Sequence, residues 1–174
     1  ESRFSFIILD EAQDLKNHLE KFAQLIHNSK IRTYFLGDCN QNINGGGKWF
    51  DELESTRFLS NSFRCPESNC KWIRENLNIE IYGNNDKSEF NIIPLNDALS
   101  LDDGSRVLLY SAASGSIKDI VNKWSSEKHT IKEAKGKTID KDIVIVGKSL
   151  NTKSYYTAIT RTTRNVFSTI NKIS

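Results

Sequence analysis

The chain has 174 residues, of which 37% are hydrophobic and 26% are charged, and its formal net charge is +2. This composition is typical of a folded globular protein and excludes an intrinsically disordered one. No apolar run approaches the roughly 20 residues that a membrane helix needs. Because the sequence contains no Met, we expect an internal piece of a longer polypeptide. The three cysteines lack C-x-x-C spacing and nearby histidines, which favours reduced intracellular thiols over a zinc site.

The first part of the chain reads as strand, helix, strand. Residues 4–9 form an almost continuous apolar run, typical of a central parallel strand that is covered on both faces. Residues 15–27 have helical apolar spacing, through Leu19, Phe22, Ala23 and Ile26, and residues 31–36 form a second strand. Both strands end in an acid. This pattern indicates an α/β nucleotide fold, because ligands bind outside the carboxyl ends of parallel strands.

The middle of the chain carries a glycine-rich loop at residues 44–48 and a short helix at 49–53. A strand near residues 57–61 leads to a helix at 66–77, which has Pro in its first turn. Residues 82–89 are polar and are predicted to be a loop.

A second strand–helix alternation follows. We predict strands at 107–110, 143–146 and 166–170, and helices at 116–124 and 153–162. The fold class is therefore α/β, with two RecA-like P-loop NTPase domains. Residues 1–57 would be the C-terminal part of the first domain, truncated at its N-terminal side, and residues 58–174 the second.

Two polar segments follow the first two strands. Asp10 can hold Mg²⁺, and Glu11 can polarise a water for attack on a γ-phosphate. The alternative for this pair is an acidic helix cap. In the second segment, residues 37–41, the Gln41 amide can bond both a phosphate oxygen and the attacking water. The alternative is an Asx-type turn.

Two arginines are candidate arginine fingers. Arg64 follows a predicted strand end and can stabilise a transferring phosphoryl group, or it can simply pair with Glu67 on the surface. Arg161 lies one helical turn beyond Thr157, with Tyr156 on the opposite side, and would supply the second cation.

Residues 130–138 combine hydroxyl groups, small residues and lysines in one predicted loop before a buried strand. Thr130, Lys132, Lys135 and backbone amides can clamp a phosphate of ATP or of a nucleic-acid strand, and the alternative is a solvated turn. Trp49 and Phe50 can stack bases, each contributing roughly 1–3 kcal/mol, or can be core side chains.

Taken in chain order, these segments resemble the motifs of superfamily 1 helicases. Asp-Glu-Ala-Gln at 10–13 resembles motif II, and Gly-Asp-x-x-Gln at 37–41 resembles motif III. Residues 61–66, 130–138 and 156–161 are similar to motifs IV, V and VI. The resemblance covers almost the whole chain.

The resemblance implies an ATP-dependent helicase or translocase that uses Mg²⁺ and moves along single-stranded DNA or RNA. By it, Asp10 is the Mg²⁺ ligand, Glu11 is the base and a water-mediated Mg²⁺ contact, and Gln41 is the γ-phosphate sensor. The resemblance assigns the remaining roles as follows: Arg64 and Arg161 are the fingers, Gly136 and Thr138 lie near the nucleotide or strand, and Tyr156 supports the cleft. Partners in a replication, repair or defence complex are expected, in the cytoplasm or in a host cell.

The sequence departs from the family pattern in two ways. No G-x-x-x-x-G-K-[ST] loop (Walker A) occurs in it, so we expect activity in the full-length protein and none in this chain alone. The alternative is a non-catalytic helicase-fold scaffold or partner-binding module. The subfamily is also open, because Gln13 favours UvrD/Rep relatives whereas Thr138 and the Arg64-Cys65-Pro66 triplet favour viral-type ones.

Overall fold

The computed structural model describes residues 5–45, 48–54, 57–84 and 87–170. The chain divides into two compact units, a first unit of Glu1–Phe58 and a second unit of Leu59–Ser174. Gly46 and Gly47 of the predicted glycine-rich loop lie outside the described residues. The assignment of the two units to RecA-like domains stays a prediction.

In its described residues the first unit has two parallel strands and two α-helices. Strand β1 (Ile7–Leu9) pairs in parallel with β2 (Thr33–Phe35), with Ile8 opposite Tyr34. Between them runs helix α1 (His18–His27), and α2 (Lys48–Glu52) follows β2. The predicted strand–helix–strand order is confirmed, with shorter elements than expected.

Two details of the first unit correct the sequence prediction. The prediction that β1 is covered on both faces is wrong, because Ile8 is 53% exposed. Of the predicted apolar stripe on α1, Ala23 and Ile26 are buried, whereas Leu19 and Phe22 are exposed. Within the described residues, the cover of this small sheet lies on one face, which leaves the other face open.

The second unit is built on a five-stranded parallel sheet in the order β5-β9-β8-β6-β7. Its elements are β3 (Asn61–Pro66), α3 (Glu67–Leu77), β4 (Tyr82–Asn84), β5 (Phe90–Ile92), β6 (Arg106–Tyr110), α4 (Ser116–Lys123), β7 (Lys128–Thr130), α5 (Ile131–Ala134), β8 (Asp142–Val146), α6 (Thr152–Ile159) and β9 (Val166–Ser168). The central strands β6 and β8 are apolar and almost fully buried, as parallel strands covered by helices should be. Helix α4 packs Ile117, Ile120 and Val121 against them, together with Trp124.

Several elements of the second unit differ from the sequence prediction. Strand β3 begins at Asn61, where the predicted strand ended. Within residues 82–89, predicted to be a loop, β4 runs parallel to β3. Gly83 makes this possible, because a Cβ there would lie 2.6 Å from the Cys65 carbonyl oxygen. The loop prediction for this segment is therefore wrong at its start.

The segment 130–138 is not one loop. Strand β7 ends at Thr130, and α5 follows before a turn at Gly136, whose φ of +79° favours glycine. Helix α6 ends at Ile159 rather than at residue 162, because the Thr160 hydroxyl bonds back to the Tyr156 carbonyl. In the described part of the chain, no helix is long and apolar enough to cross a membrane.

Candidate functional site

The two acids of the DEAQ segment stand at the carboxyl end of β1. Both are exposed, and Asp10 Oδ1 accepts a hydrogen bond from the Glu11 amide at 2.8 Å. Glu11 has a left-handed φ of 53°, and the following Ala12 amide donates to the Leu36 carbonyl at 2.8 Å. A 3-10 turn does begin at Ala12, but the Glu11 side chain makes no capping bond to it. The arrangement therefore presents two carboxylates rather than an acidic cap.

The segment after β2 forms a tight turn around Asp38. Its two carboxylate oxygens accept bonds from the Asn40 amide and from Gln41 Nε2, each at 2.9 Å. The backbone amide of Gln41 also donates to the Asp38 backbone carbonyl at 2.9 Å. The Asx-type turn that we considered as an alternative is present, and it also orients the Gln41 side chain.

Gln13 joins these two segments, a role that the sequence analysis missed. Its Nε2 donates to Glu11 Oε2 at 2.5 Å, and its Oε1 accepts from the Asp38 amide at 3.0 Å. Gln13 is fully buried, and Gly37 leaves room for it, because a Cβ at Gly37 would lie 2.3 Å from Gln13 Oε1. The signal available in the sequence was an uncharged polar residue, Gln13, that follows Ala12 directly after the two acids.

Arg64 contacts the motif V segment rather than its sequence neighbour. Its Nη1 donates to Thr138 Oγ1 at 3.2 Å. Glu67 instead pairs with Arg74 at 2.5 Å and accepts the Gly83 amide at 2.7 Å. The alternative in which Arg64 pairs with Glu67 is therefore wrong.

Arg161 is almost completely buried, with 2% of its surface exposed. Its Nε donates to the Thr157 carbonyl at 3.0 Å, and its Nη2 donates to Thr160 Oγ1 at 3.1 Å. Arg161 lies in the turn after α6, which ends at Ile159, so the predicted continuation of the helix from Thr157 to Arg161 is wrong. Tyr156 is buried within α6. In this arrangement the guanidinium is directed at its own helix end.

Both arginines lie close enough to the Cys65 thiol for their charges to act on it. The hydrogen bond with Cys70 and burial raise the pKa of Cys65 well above its ordinary value, while the positive charges of Arg64 and Arg161 oppose the rise. The thiol is therefore neutral.

Thr130 and Glu133 form a capping box on α5. The Thr130 hydroxyl accepts the Glu133 amide at 3.2 Å, and the Glu133 carboxylate accepts the Thr130 amide at 2.8 Å and its hydroxyl at 2.9 Å. These bonds hold the pKa of Glu133 below its usual value. The Thr130 hydroxyl thus caps a helix, a function that the pattern T-x-x-E signals in sequence and that we missed.

The lysines of this segment differ in exposure: Lys132 is exposed, and Lys135 is half-buried. An adjoining cleft of about 230 Å³ contains the Thr138 hydroxyl. It is lined by Glu127, His129, Lys137, Thr138, Ile139, Asp140 and Lys141. Cations and carboxylates are mixed in this lining, so the cleft is not a simple basic pocket.

Trp49 and Phe50 are both half-buried. The Trp49 ring packs edge-to-face on Phe35 and His27, with centroids 5.3 and 5.7 Å apart. The Phe50 ring lies against Gly37. Both side chains have packing roles in the first unit, and base stacking by them stays a prediction.

The residues at the end of β1 fit an Mg²⁺ site of the kind completed by a substrate. Mg²⁺ is usually held by one or two carboxylates together with waters and substrate phosphates. Asp10 presents an exposed carboxylate of this kind. Among residues 5–45, 48–54, 57–84 and 87–170, no group of three or more His, Cys, Asp or Glu residues could hold a metal by itself. Waters and substrate phosphates would therefore supply the remaining ligands of an ion at Asp10.

Comparison with known proteins gives similarity in structure alone. No family model matches the chain, and no curated protein matches it either. In structure, the chain is similar to a helicase from PRRSV, with a TM-score of 0.62 and 21% identity over 92% of this chain. A second structure, of the PRRSV nsp10 helicase, aligns over 92% of this chain with 21% identity and a TM-score of 0.43. The chain spans about a third of the length of these proteins, 34% and 35%. The chain thus has a helicase-like α/β fold.

Proposed function

We propose that this chain is the Walker B to motif VI portion of an ATP-dependent nucleic-acid helicase or translocase. The observation that carries the proposal is the hydrogen-bonded connection, through Gln13, of the Glu11 carboxylate to the turn that orients Gln41. A base and a phosphate-sensing amide are what ATP hydrolysis needs at one strand edge. The helicase-like fold supports the same function.

In this proposal Glu11 accepts a proton from the attacking water, and Gln41 bonds that water and the γ-phosphate. Asp10 holds Mg²⁺, which neutralises charge on the phosphates when bound. The first unit is thus the C-terminal part of one RecA-like domain, and the second unit is the other RecA-like domain.

Arg64 is the better-supported arginine finger. It is half-buried, its Nη1 bonds a neutral hydroxyl, and its Nε has no partner among the described residues. Arg161 is almost completely buried, and its Nε and Nη2 already donate to Thr157 and Thr160. Gly136, Thr138 and Tyr156 are proposed to lie near the nucleotide.

Single-stranded DNA or RNA is the proposed substrate track. Lys132 is exposed for a phosphate contact, and the half-buried Lys135 directly follows the end of α5. Thr130 is placed to position these lysines through its helix cap. Trp49 and Phe50 are proposed to contact bases.

The test is ATP hydrolysis by the longest natural polypeptide that contains this sequence, with and without single strands. We expect strand-stimulated turnover, and we expect Arg64→Ala to lower kcat far more than ATP affinity. Arg32→Ala, a surface change in the first unit, is the matched control. Absence of strand-stimulated turnover in the unmodified protein would instead favour the non-catalytic scaffold.

A further inference from the structure

Gln13 is a fully buried polar side chain with a partner at each end. Its amide nitrogen donates to the Glu11 carboxylate, and its amide oxygen accepts from the Asp38 backbone. A buried amide without partners would destabilise the fold, so these bonds hold Gln13 in one orientation. Glutamine alone among the side chains of this length offers both a donor and an acceptor.

Gln13 also fits a space that is made for it. A Cβ at Gly37 would lie 2.3 Å from Gln13 Oε1 and 2.9 Å from the Phe50 ring. The backbone of the turn after β2 therefore approaches Gln13 directly. Any side chain at position 37 would overlap Gln13 Oε1 and the Phe50 ring, so these side chains or the turn would have to shift.

The bonds continue on both sides of Gln13. Glu11 has a left-handed backbone conformation, so its side-chain direction is not set by the pleat of β1. On the other side, Asp38 Oδ2 accepts from Gln41 Nε2 at 2.9 Å. A continuous path of hydrogen bonds thus runs from Glu11 through Gln13 and Asp38 to Gln41.

We propose that Gln13 is a positioning residue that sets the Glu11 carboxylate and the Gln41 turn in one fixed relation. This inference rests on the proposed function for its catalytic meaning. Gln13 touches no reacting atom and acts through its two partners. When contact with the γ-phosphate displaces Gln41, the hydrogen bonds through Asp38 and Gln13 change the position of the Glu11 carboxylate as well.

Two substitutions separate the two bonds. Gln13→Glu keeps an acceptor for the Asp38 amide but replaces the donor to Glu11 with a second carboxylate. Gln13→Leu removes both bonds. Gln24→Leu, on the half-buried side of α1, is the matched control for the loss of an amide in the same unit.

The first readout is amide hydrogen exchange of the chain itself, which does not depend on ATPase activity. We expect Gln13→Leu to speed exchange at Asp38 about tenfold, and Gln13→Glu to leave it close to the unmodified rate. The Leu36 amide, which bonds the Leu9 carbonyl, reports whether the unit as a whole has loosened. Unchanged exchange at Asp38 in a folded Gln13→Leu variant would show that Gln13 does not hold the Asp38 amide, and would overturn the proposal.

The second readout is the split between kcat and KM in the longest natural polypeptide that contains this sequence. Gln13→Glu should lower kcat about tenfold or more and leave the KM for ATP nearly unchanged, because the substitution disturbs Glu11 alone. An active protein with unaltered kcat in Gln13→Glu refutes the positioning role. If the unmodified protein is inactive, the proposed function is refuted. The exchange experiment then decides by itself whether Gln13 holds the Asp38 amide.

Discussion

Arg64 Nη1 donates a hydrogen bond to Thr138 Oγ1 at 3.2 Å, although 74 positions separate the two residues in sequence. The bond ties the strand β3 to the turn that follows α5. It connects two segments that the resemblance assigned to different helicase motifs. The segment that resembles motif V therefore helps to position Arg64, the proposed arginine finger, within the second unit.

Removing this bond should destabilise the second unit modestly. Thr138→Val should lower the free energy of unfolding by about 0.5–1.5 kcal/mol, and Thr138→Ser should lower it less. A double-mutant cycle with Arg64→Leu, followed by urea denaturation, measures the coupling. Strictly additive effects of the two substitutions would show that the bond contributes nothing.

Gly37 should not tolerate a side chain. Gly37→Ala should destabilise the first unit by about 1–3 kcal/mol or more, because its methyl group would overlap Gln13 and Phe50. Hydrogen exchange of the Leu36 amide, which bonds the Leu9 carbonyl between β1 and β2, reports on the stability of this unit. Gly45→Ala is the control: its φ is +66° with nothing within 4 Å, so it carries backbone strain without overlap. A smaller loss for Gly37→Ala than for Gly45→Ala would contradict the close approach.

The regular part of the fold could be predicted from the sequence, because it depends on local apolar patterns. Strands β6 and β8 are short apolar runs, and α4 has helical spacing, so each was found within a residue or two. Strand β4 was missed because Tyr-Gly-Asn has no strand pattern. Its pairing depends on the close backbone approach at Gly83, which only the folded chain reveals.

The residues of the candidate site could be proposed from the sequence, but the contacts among them could not. Asp10, Glu11 and Gln41 were readable as strand-end chemistry, and Arg64 as a cation. The Gln13 bridge and the Arg64–Thr138 bond join segments far apart in sequence, so no local spacing encodes them. The burial of Arg161 was likewise invisible, because it depends on how α6 packs.

The stability of the second unit should depend on pH through Glu67. The bond from Arg74, followed by that from the Gly83 amide, holds the pKa of Glu67 below its usual 4.5. A carboxyl with a lowered folded-state pKa stabilises the fold above its unfolded pKa, and this contribution disappears as the pH falls. The difference in unfolding free energy between the unmodified protein and Glu67→Gln should therefore be constant near neutrality and shrink below about pH 4.5.

Urea denaturation between about pH 3 and pH 7 measures this difference. Glu75→Gln serves as the control on the same helix, because Glu75 makes only an exposed pair with Lys71 at 3.9 Å. A Glu67→Gln difference that stays constant down to the lowest pH would contradict the role of the Arg74 pair.

Binding to a single strand should depend on salt through the lysines near α5. Lys132→Gln should reduce the slope of log affinity against log salt concentration by about 0.7–0.9, because one phosphate contact is lost. Fluorescence anisotropy with a labelled oligonucleotide measures the slope. Lys118→Gln, an exposed lysine on α4, should leave it unchanged. Equal slopes for the unmodified protein and Lys132→Gln would show that Lys132 is not part of the proposed nucleic-acid interface.

Glu11 is proposed to be the base of an ATP-hydrolysing motor. The most direct test of this role is single-turnover ATP hydrolysis in the longest natural polypeptide that contains this sequence, with ATP binding measured in parallel. Glu11→Gln should lower the rate about 10²-fold or more and leave ATP affinity nearly unchanged, whereas the exposed control Glu52→Gln should do neither. Undiminished hydrolysis by Glu11→Gln would contradict the account.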